Sequence, residues 1–311
     1  MAMRFKVMVL AGGPDREREV SLVSGAQVTA AARAAGHEVV QCDIGPDDLS
    51  ALDRFEREGF DVLFPILHGS WGEGGGLQRH LDERGLAYVG SRAAAASLCM
   101  DKDATKRALA EAGLATPASE VVDVAGGGSP GLAPPLVLKP LREGSSIDLY
   151  VCMDGGAVAS ALASLRGRHE RVLAERFVRG REMTVGVLGE GEAARALPPI
   201  HIQPATAFYD YQAKYVRDDT RYVFEIDPPG LIGQLQQSAA AAHAALGCRH
   251  LSRVDFMVDE DDRAWVLEVN TLPGFTTHSL LPMAAARAGL AMPGLVTQLL
   301  TWAMAGVPAS R

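Results

Sequence analysis

Two short runs near the C-terminal end hold the residue types with the most chemistry to offer. Arg253-Val-Asp255-Phe-Met257 is followed by Trp265-Val-Leu267-Glu268-Val-Asn270, with Asp261-Asp262 between them. If Asp261-Asp262 is a two-residue hairpin turn, Asp255 stands opposite Glu268 and Arg253 opposite Asn270. Period-two alternation then turns Arg253, Asp255, Glu268 and Asn270 to one face of the sheet. Two carboxylates, an amide oxygen and a guanidinium are costly to bury unless something binds them. Hard oxygen ligands of this kind suit Mg2+ or Mn2+, above all where substrate phosphates complete the shell. The same spacing also fits a solvated strand face carrying a structural Arg–Asp pair.

Val137-Leu138-Lys139-Pro140 puts a lysine at a strand end, and Arg142-Glu143-Gly144-Ser145-Ser146 follows as a short loop. Such a loop offers backbone N–H groups, hydroxyls and a nearby ammonium to phosphate oxygens. It is no Walker A, lacking G-x-x-x-x-G-K-[ST], and by itself it reads equally as a Gly-Ser turn. Glu17 and Glu19 follow Gly12-Gly13 at the start of the first helix, where the macrodipole favours negative charge. His68-Gly69 sits at the carboxyl end of a strand, where open α/β sheets put ligands. Gly72-Glu73-Gly74-Gly75-Gly76 reads as a flexible connection. Phe208, Tyr209, Tyr211, Tyr215 and Tyr222, mixed with Asp210, Lys214 and Arg217, suit a loop that closes over a ligand or a satellite cluster packing that loop on the body.

The elements that must position these groups follow from periodicity. An apolar run at 5–11, a helix over 20–35 and a strand at 38–43 make a βαβ opening. The pattern recurs with Asp61 to Leu67, a helix near 76–84 and a short strand at 86–89, so residues 1 to about 95 form one parallel-sheet unit. A helix from Met100-Asp101-Lys102 to Ala112 opens a second unit, with strands near 119–123, 136–139 and 171–176 and a helix over 155–166. From Met183 the chain is strand-rich, with a helix at 231–246, the two runs described first, and a closing helix near 292–305. The expected division is 1–97, 98–182 and 183–311.

The 311 residues carry 30 Lys and Arg against 38 Asp and Glu, a formal charge of −8, so the electrostatic footprint of a nucleic-acid binder is missing. The four cysteines stand far apart with no C-x-x-C pair, which argues against zinc and against a disulfide framework. Val7 to Ala11 is followed at once by Gly12-Gly13 and a charged run, and reads as a buried strand rather than a signal peptide. No apolar stretch approaches the ~20 residues of a membrane span, so the expectation is a cytoplasmic protein with small-molecule partners, no nucleic acid and no membrane.

Taken in series, these motifs make the chain resemble the D-alanine–D-alanine ligases of the ATP-grasp superfamily over nearly its whole length. The series runs Ala11-Gly12-Gly13…Glu17-Arg18-Glu19-Val20-Ser21, His68-Gly69-x-x-Gly72-Glu73, Met100-Asp101-Lys102 and Lys139-Pro140-x-Arg142-Glu143-Gly144-Ser145-Ser146. It continues through Phe208-Tyr209-Asp210-Tyr211-x-Ala213-Lys214-Tyr215, Arg253-x-Asp255, Glu268-x-Asn270-Thr271-x-Pro273-Gly274 and His278-Ser279-Leu280. The resemblance implies an α/β architecture, an ATP-grasp fold preceded by a Rossmann-like N-terminal parallel-sheet domain. It also implies ATP-dependent joining of two D-alanines through a D-alanyl phosphate, for peptidoglycan precursors, by a homodimer.

By similarity, Asp255, Glu268 and Asn270 hold two Mg2+ (or Mn2+) ions that bridge phosphate oxygens. Lys102, Lys139 and Lys214 neutralise the triphosphate, with Ser145 and Ser146 in the loop above it. Adenine is implied near Phe177, Val178 and Met257, with Glu175 and Glu182 on its polar edge and the ribose. Glu17 accepts the ammonium of the first D-alanine, with His68 close to it. Ser279 and Leu280 receive the carboxylate of the second, and Arg253 and the Gly274 N–H stabilise the oxyanion. Tyr215, Ser145 and Glu17 tie the closing loop to the first-substrate site.

Two departures from the family pattern stand out. The usual Ser-Ser-Val-Gly becomes Ser145-Ser146-Ile147-Asp148, and an aspartate near a triphosphate is unfavourable unless it turns toward a cation. Loss of that glycine also restricts φ. The usual Gly-Glu-Asp-Gly becomes Gly72-Glu73-Gly74-Gly75, one carboxylate fewer. They leave two further readings open: a ligase taking D-serine or D-lactate second, or a silent paralogue that binds ATP without releasing phosphate.

Overall fold

The computed structural model describes residues 3–144, 147–204 and 219–306. The apolar run at the start becomes β1 (Lys6–Gly12), which pairs in parallel with β2 (Glu38–Ile44) on one side and β3 (Val62–Pro65) on the other. Its alternation divides the cover. Val7, Val9 and Ala11 face α1 (Arg18–Ala34), while Met8 and Leu10 face α2 (Ser50–Glu58) and α4 (Gly76–Glu83), so both sides of the sheet are buried. A one-turn helix, α3 (Gly69–Gly72), links β3 to α4. The strand expected at 86–89 is reduced to a single parallel bridge between Leu63 and Tyr88.

Next come α5 (Ala93–Met100) and α6 (Lys102–Glu111). α5 escaped the sequence reading because its Ala-rich run has no apolar stripe to mark a face. An antiparallel sheet ordered β4-β7-β5-β6 follows, built from β4 (Ser119–Asp123), β5 (Leu136–Pro140), β6 (Tyr150–Cys152) and β7 (Arg171–Arg176). Leu162 and Leu165 of α7 (Gly155–Leu165) pack on Leu136, Leu138 and Val172 of that sheet.

The third sheet runs β11-β10-β8-β12-β13, with β9 off β8. Its strands are β8 (Arg181–Glu190), β9 (Arg195–Ala196), β10 (Ile200–Gln203), β11 (Arg221–Val223), β12 (Arg249–Val258) and β13 (Ala264–Asn270). Leu231, Leu235 and Ala239 of α8 (Pro229–Ala245) cover the side that holds Val185, Val254 and Phe256. The alternate residues Glu182, Thr184, Asp255 and Met257 are thereby left on the other side. α9 (Leu280–Arg287) and α10 (Met292–Ala305) close the chain, and Leu295, Val296, Leu299 and Leu300 of α10 join the core of the first sheet. No single helix among the described residues is long and apolar enough to cross a membrane.

The hairpin carrying Asp255 and Glu268 differs from the expected one. The loop between Asp259 and Arg263 has three residues, Glu260 to Asp262, with Asp262 at a left-handed φ of 58°. That shifts the pairing by one, so Met257 meets Trp265. A bulge between Asp255 and Phe256 shifts it back, and Asp255 meets Glu268 while Arg253 meets Asn270. The longer turn and the bulge compensate, which is why the two-residue assumption still reached the observed pairs. The bulge also leaves Leu267 and Glu268 both partly exposed in succession, breaking the alternation of β13.

Candidate active site

The four-stranded and third sheets face one another across a cavity of about 920 Å³. Val137 and Lys139 reach it from β5, Glu175 from β7, Glu182 from β8, Asp255 and Met257 from β12, and Leu267 and Glu268 from β13; Phe177 and Val178 line it from the β7–β8 link. The lining is mixed: Val137, Val151, Phe177, Val178, Met257 and Leu267 are apolar, and Lys102, Lys139, Glu182, Asp255 and Glu268 are among the charged groups. A flat heterocycle fits the apolar residues and an anionic group the lysines.

Glu175 lines the cavity with Phe177 and Val178 and also holds two lysines. Its Oε1 accepts from Lys139 Nζ at 2.7 Å and its Oε2 from Lys106 Nζ at 2.5 Å, all three groups being buried. Burial works to raise its pKa, but the two ammonium groups outweigh burial and hold it below the usual range. Burial pushes the Lys106 pKa down. Lys106 escaped the sequence reading, although its place one turn after Lys102 on α6 was a usable signal.

Lys102 opens α6 behind Asp101, whose carboxylate caps the helix by accepting from Ala104 N at 3.1 Å. Its Nζ donates to the Glu143 carbonyl at 2.6 Å, and burial lowers its pKa against the pull of Glu268. Asp255 accepts from Arg253 Nε at 2.9 Å and Nη2 at 2.7 Å, from Thr184 Oγ1 at 2.6 Å and from Asn270 Nδ2 at 3.0 Å. With its nitrogen turned to Asp255, Asn270 keeps its amide oxygen for another partner. Glu268 makes no hydrogen bond or ion pair within the described residues. A half-buried carboxylate beside an amide oxygen and a second carboxylate is a hard-oxygen donor set that fits Mg2+ or Mn2+.

Glu17 is buried at the N-terminus of α1, and its Oε2 lies close to Gly144 of the β5–β6 loop, as does Oε1 of Glu73. His68 precedes α3 and is buried; its Nδ1 lies 3.9 Å from Glu73 Oε2, while its Nε2 has no hydrogen-bond partner among the described residues. Burial works against charge on His68, yet Glu73 and Glu17 outweigh it and raise its pKa. Burial likewise raises the pKa of Glu73. Both shifts point upward, so the pair retains a proton beyond the range of its isolated groups. The glycines 72–76 are not a loose connection: a Cβ at Gly74 would stand 2.3 Å from the Ser70 carbonyl oxygen. The carboxylate that the family carries there has no room in this backbone.

Ser279 begins α9 and folds back on the preceding turn, its Oγ accepting from Thr276 N at 2.9 Å, and Leu280 follows, buried. The same Oγ would lie 2.9 Å from a Cβ on Gly274, so Gly274 and Ser279 are immediate neighbours. Asp148 stands at a φ of 53°, a region that aspartate tolerates better than most residues. It accepts from Arg168 Nη1, and its Oδ2 lies 2.8 Å from His169 Nε2, so the carboxylate turns toward the Arg168 guanidinium. Ser145, Ser146, Lys214 and Tyr215 lie outside the described residues.

A family model described as D-ala D-ala ligase C-terminus matches residues 129–301. The chain is 44% identical over 305 residues to a D-alanine–D-alanine ligase of Bordetella avium, covering 96% of this chain and 95% of that one. It is 43% identical over 302 residues to D-alanine–D-alanine ligase B of Chromobacterium violaceum, covering 95% and 96%. Among solved structures, the D-alanine-D-alanine ligase from Coxiella burnetii superposes with a TM-score of 0.81 at 26% identity, covering 97% of this chain and 94% of that one. A D-Ala:D-Ser ligase from Enterococcus faecalis does so with a TM-score of 0.81 at 26% identity, covering 97% and 100%. A parallel-sheet unit followed by two antiparallel sheets that enclose a cavity between them defines an ATP-grasp enzyme. Within that class, the chain belongs to the D-alanine–D-alanine ligase family.

Proposed function

We propose that the chain joins two D-alanines to D-alanyl-D-alanine at the expense of ATP. The observation that carries this reading is one cavity lined by Lys102, Lys139, Asp255 and Glu268 together with the apolar Val137, Phe177, Val178, Met257 and Leu267. A carboxylate oxygen of the first D-alanine attacks the γ-phosphorus, and the bond to ADP breaks. The amine of the second D-alanine then attacks the acyl carbon; phosphate leaves and the nitrogen gives up its proton. Negative charge accumulates in both steps, so preorganised cations dominate the energetics.

Lys102 and Lys139 face the triphosphate, and the Glu175 carboxylate holds the Lys139 ammonium in place. Phe177, Val178, Met257 and Leu267 enclose the adenine, with Glu182 at its polar side. Asp255, Glu268 and Asn270 would hold the divalent ions, whose contribution when bound is to offset charge on the phosphate oxygens. Glu17 takes the ammonium of the first D-alanine, with Nε2 of His68, unpartnered among the described residues, close to that substrate. Arg253 and the Gly274 N–H support the oxyanion, and Ser279 with Leu280 receives the second carboxylate. Lys214, Ser145, Ser146 and Tyr215 keep the roles that the resemblance implies for them. The reading extends to residues 1–97, 98–182 and 183–311 as the three domains, and to a cytoplasmic homodimer without nucleic-acid or membrane partners.

The test is phosphate release from Mg-ATP with D-alanine, L-alanine, D-serine and D-lactate, with mass spectrometry of the product. D-alanyl-D-alanine from D-alanine alone is the expected result. A mixed product with D-serine or D-lactate would replace the second substrate, and ATP binding without any release would overturn the reading.

A further inference from the structure

The residues around Asp148 form a cluster to which no role has yet been given. The turn from Gly144 to Ile147, closed by the Ile147 N–H on the Gly144 carbonyl at 3.2 Å, borders the cavity. Its first stem is held by Lys102 Nζ on the Glu143 carbonyl. Its second stem is held from the other side of the sheet by the residues just after α7. There Arg168 and His169 are themselves fixed, both backbone N–H groups donating to the Leu165 carbonyl and Arg168 Nε donating to the Ser164 carbonyl at 2.8 Å.

Arg168 reaches the Asp148 carboxylate with Nη1 and the Tyr150 hydroxyl with Nη2 at 3.0 Å. The His169 ring lies between the two stems, Nε2 at 2.8 Å from Asp148 Oδ2 and Nδ1 at 3.9 Å from Glu143 Oε1. Ligand atoms of Glu143, Asp148 and His169 lie within 4.8 Å of one another, a spacing that a divalent cation could bridge. Both Asp148 oxygens already face protein donors, however, the Arg168 guanidinium supplying the counter-charge and the His169 ring a hydrogen-bond partner.

We propose that Asp148, Arg168 and His169 are positioning residues for the phosphate-binding part of the cavity, tying the second stem of the turn to the end of α7 through the Asp148 carboxylate. The inference rests on the cavity being the ATP site. A glycine at this position would supply the left-handed φ without charge; this chain keeps the φ with an aspartate and adds a tether. Arg168 and His169 thus matter because Asp148 is present. Without them its carboxylate is left unpaired at the foot of the stem.

The experiment measures KM for ATP and for D-alanine, kcat and Tm on the full chain carrying Arg168→Met with His169→Gln, and on the same pair combined with Asp148→Gly. The paired substitution is expected to raise KM for ATP about tenfold, the size of effect that misplacing a positioning segment next to a bound group can have. KM for D-alanine and kcat should stay within about twofold on the same argument. Adding Asp148→Gly should bring KM for ATP back to within about threefold of the wild type, a rescue that a merely structural cluster would not show.

If the paired variant does not fold, Arg168→Met alone, at a half-exposed side chain, is expected to raise KM for ATP several-fold, again reversed by Asp148→Gly. An unchanged KM for ATP, an equal rise for both substrates, or no rescue would overturn the inference. Absence of ATP-dependent release from the wild type would instead remove the nucleotide reading of the cavity, and this inference with it.

Discussion

Asp255 stands directly opposite Glu268 across the β12–β13 pair, two carboxylates facing one another at the edge of the cavity. Like charges in that relation oppose folding; Arg253 pairs with the first of them, and the buried Lys102 attracts the second. Glu268→Gln is expected to abolish phosphate release. Asp255→Asn should also abolish turnover, with the far-UV circular dichroism unchanged. Retained turnover in either variant would remove that residue from the metal assignment.

Glu175 sits between two buried ammonium groups, and breaking such an arrangement leaves charge without a partner. Glu175→Gln should cost about 3–5 kcal/mol in urea unfolding, and adding Lys106→Met should recover part of it. Because the folded-state pKa of Glu175 is depressed, its contribution is present above the ordinary carboxylate range and is lost as pH falls through the folded value. The difference in stability between wild type and Glu175→Gln should shrink on acidification; a difference that stays constant to low pH would contradict the ion-pair account.

His68 gives the opposite sign. Its folded-state pKa is raised, so the stability it lends is complete below the ordinary histidine value of 6.5 and fades as pH rises through the folded value. Unfolding of wild type and His68→Gln compared across pH 6 to 9 should show the gap narrowing with pH (from about 6.5 upward). Proton NMR of the His68 ring is the direct check, and a titration below 6.5 would refute the assignment.

Gly74 tests whether the missing family carboxylate can be put back. A Cβ there meets the Ser70 carbonyl oxygen, a backbone atom that cannot rotate away. Gly74→Asp is expected to destabilise the protein by about 1–3 kcal/mol rather than to improve catalysis. A variant with wild-type Tm and higher kcat would show that α3 gives way easily.

The residues that alternate were the legible ones. Arg253, Asp255, Glu268 and Asn270 share a face because strand period and hairpin pairing are local properties, and β1 was readable for the same reason. What stayed hidden depended on partners remote in sequence. Lys106 binds Glu175 from 69 positions away, and Asp148 finds Arg168 and His169 only after α7 has turned the chain back. Leu267 enters the cavity through a bulge whose position no side-chain pattern marked. The glycines at 72–76 read as slack because a glycine that permits close approach and one that permits motion look identical until the neighbours are in place.

The placement of α10 in the core of the first sheet bears on how the protein is made. Val7, Val9 and Ala11 leave the ribosome well before the leucines of α10 that complete their surroundings. Until α10 is made, one side of the first sheet lacks part of its cover, and residues 1–97 alone would present that apolar surface to water. A chain truncated before α10 is thus a substrate for chaperones and proteases rather than a smaller enzyme.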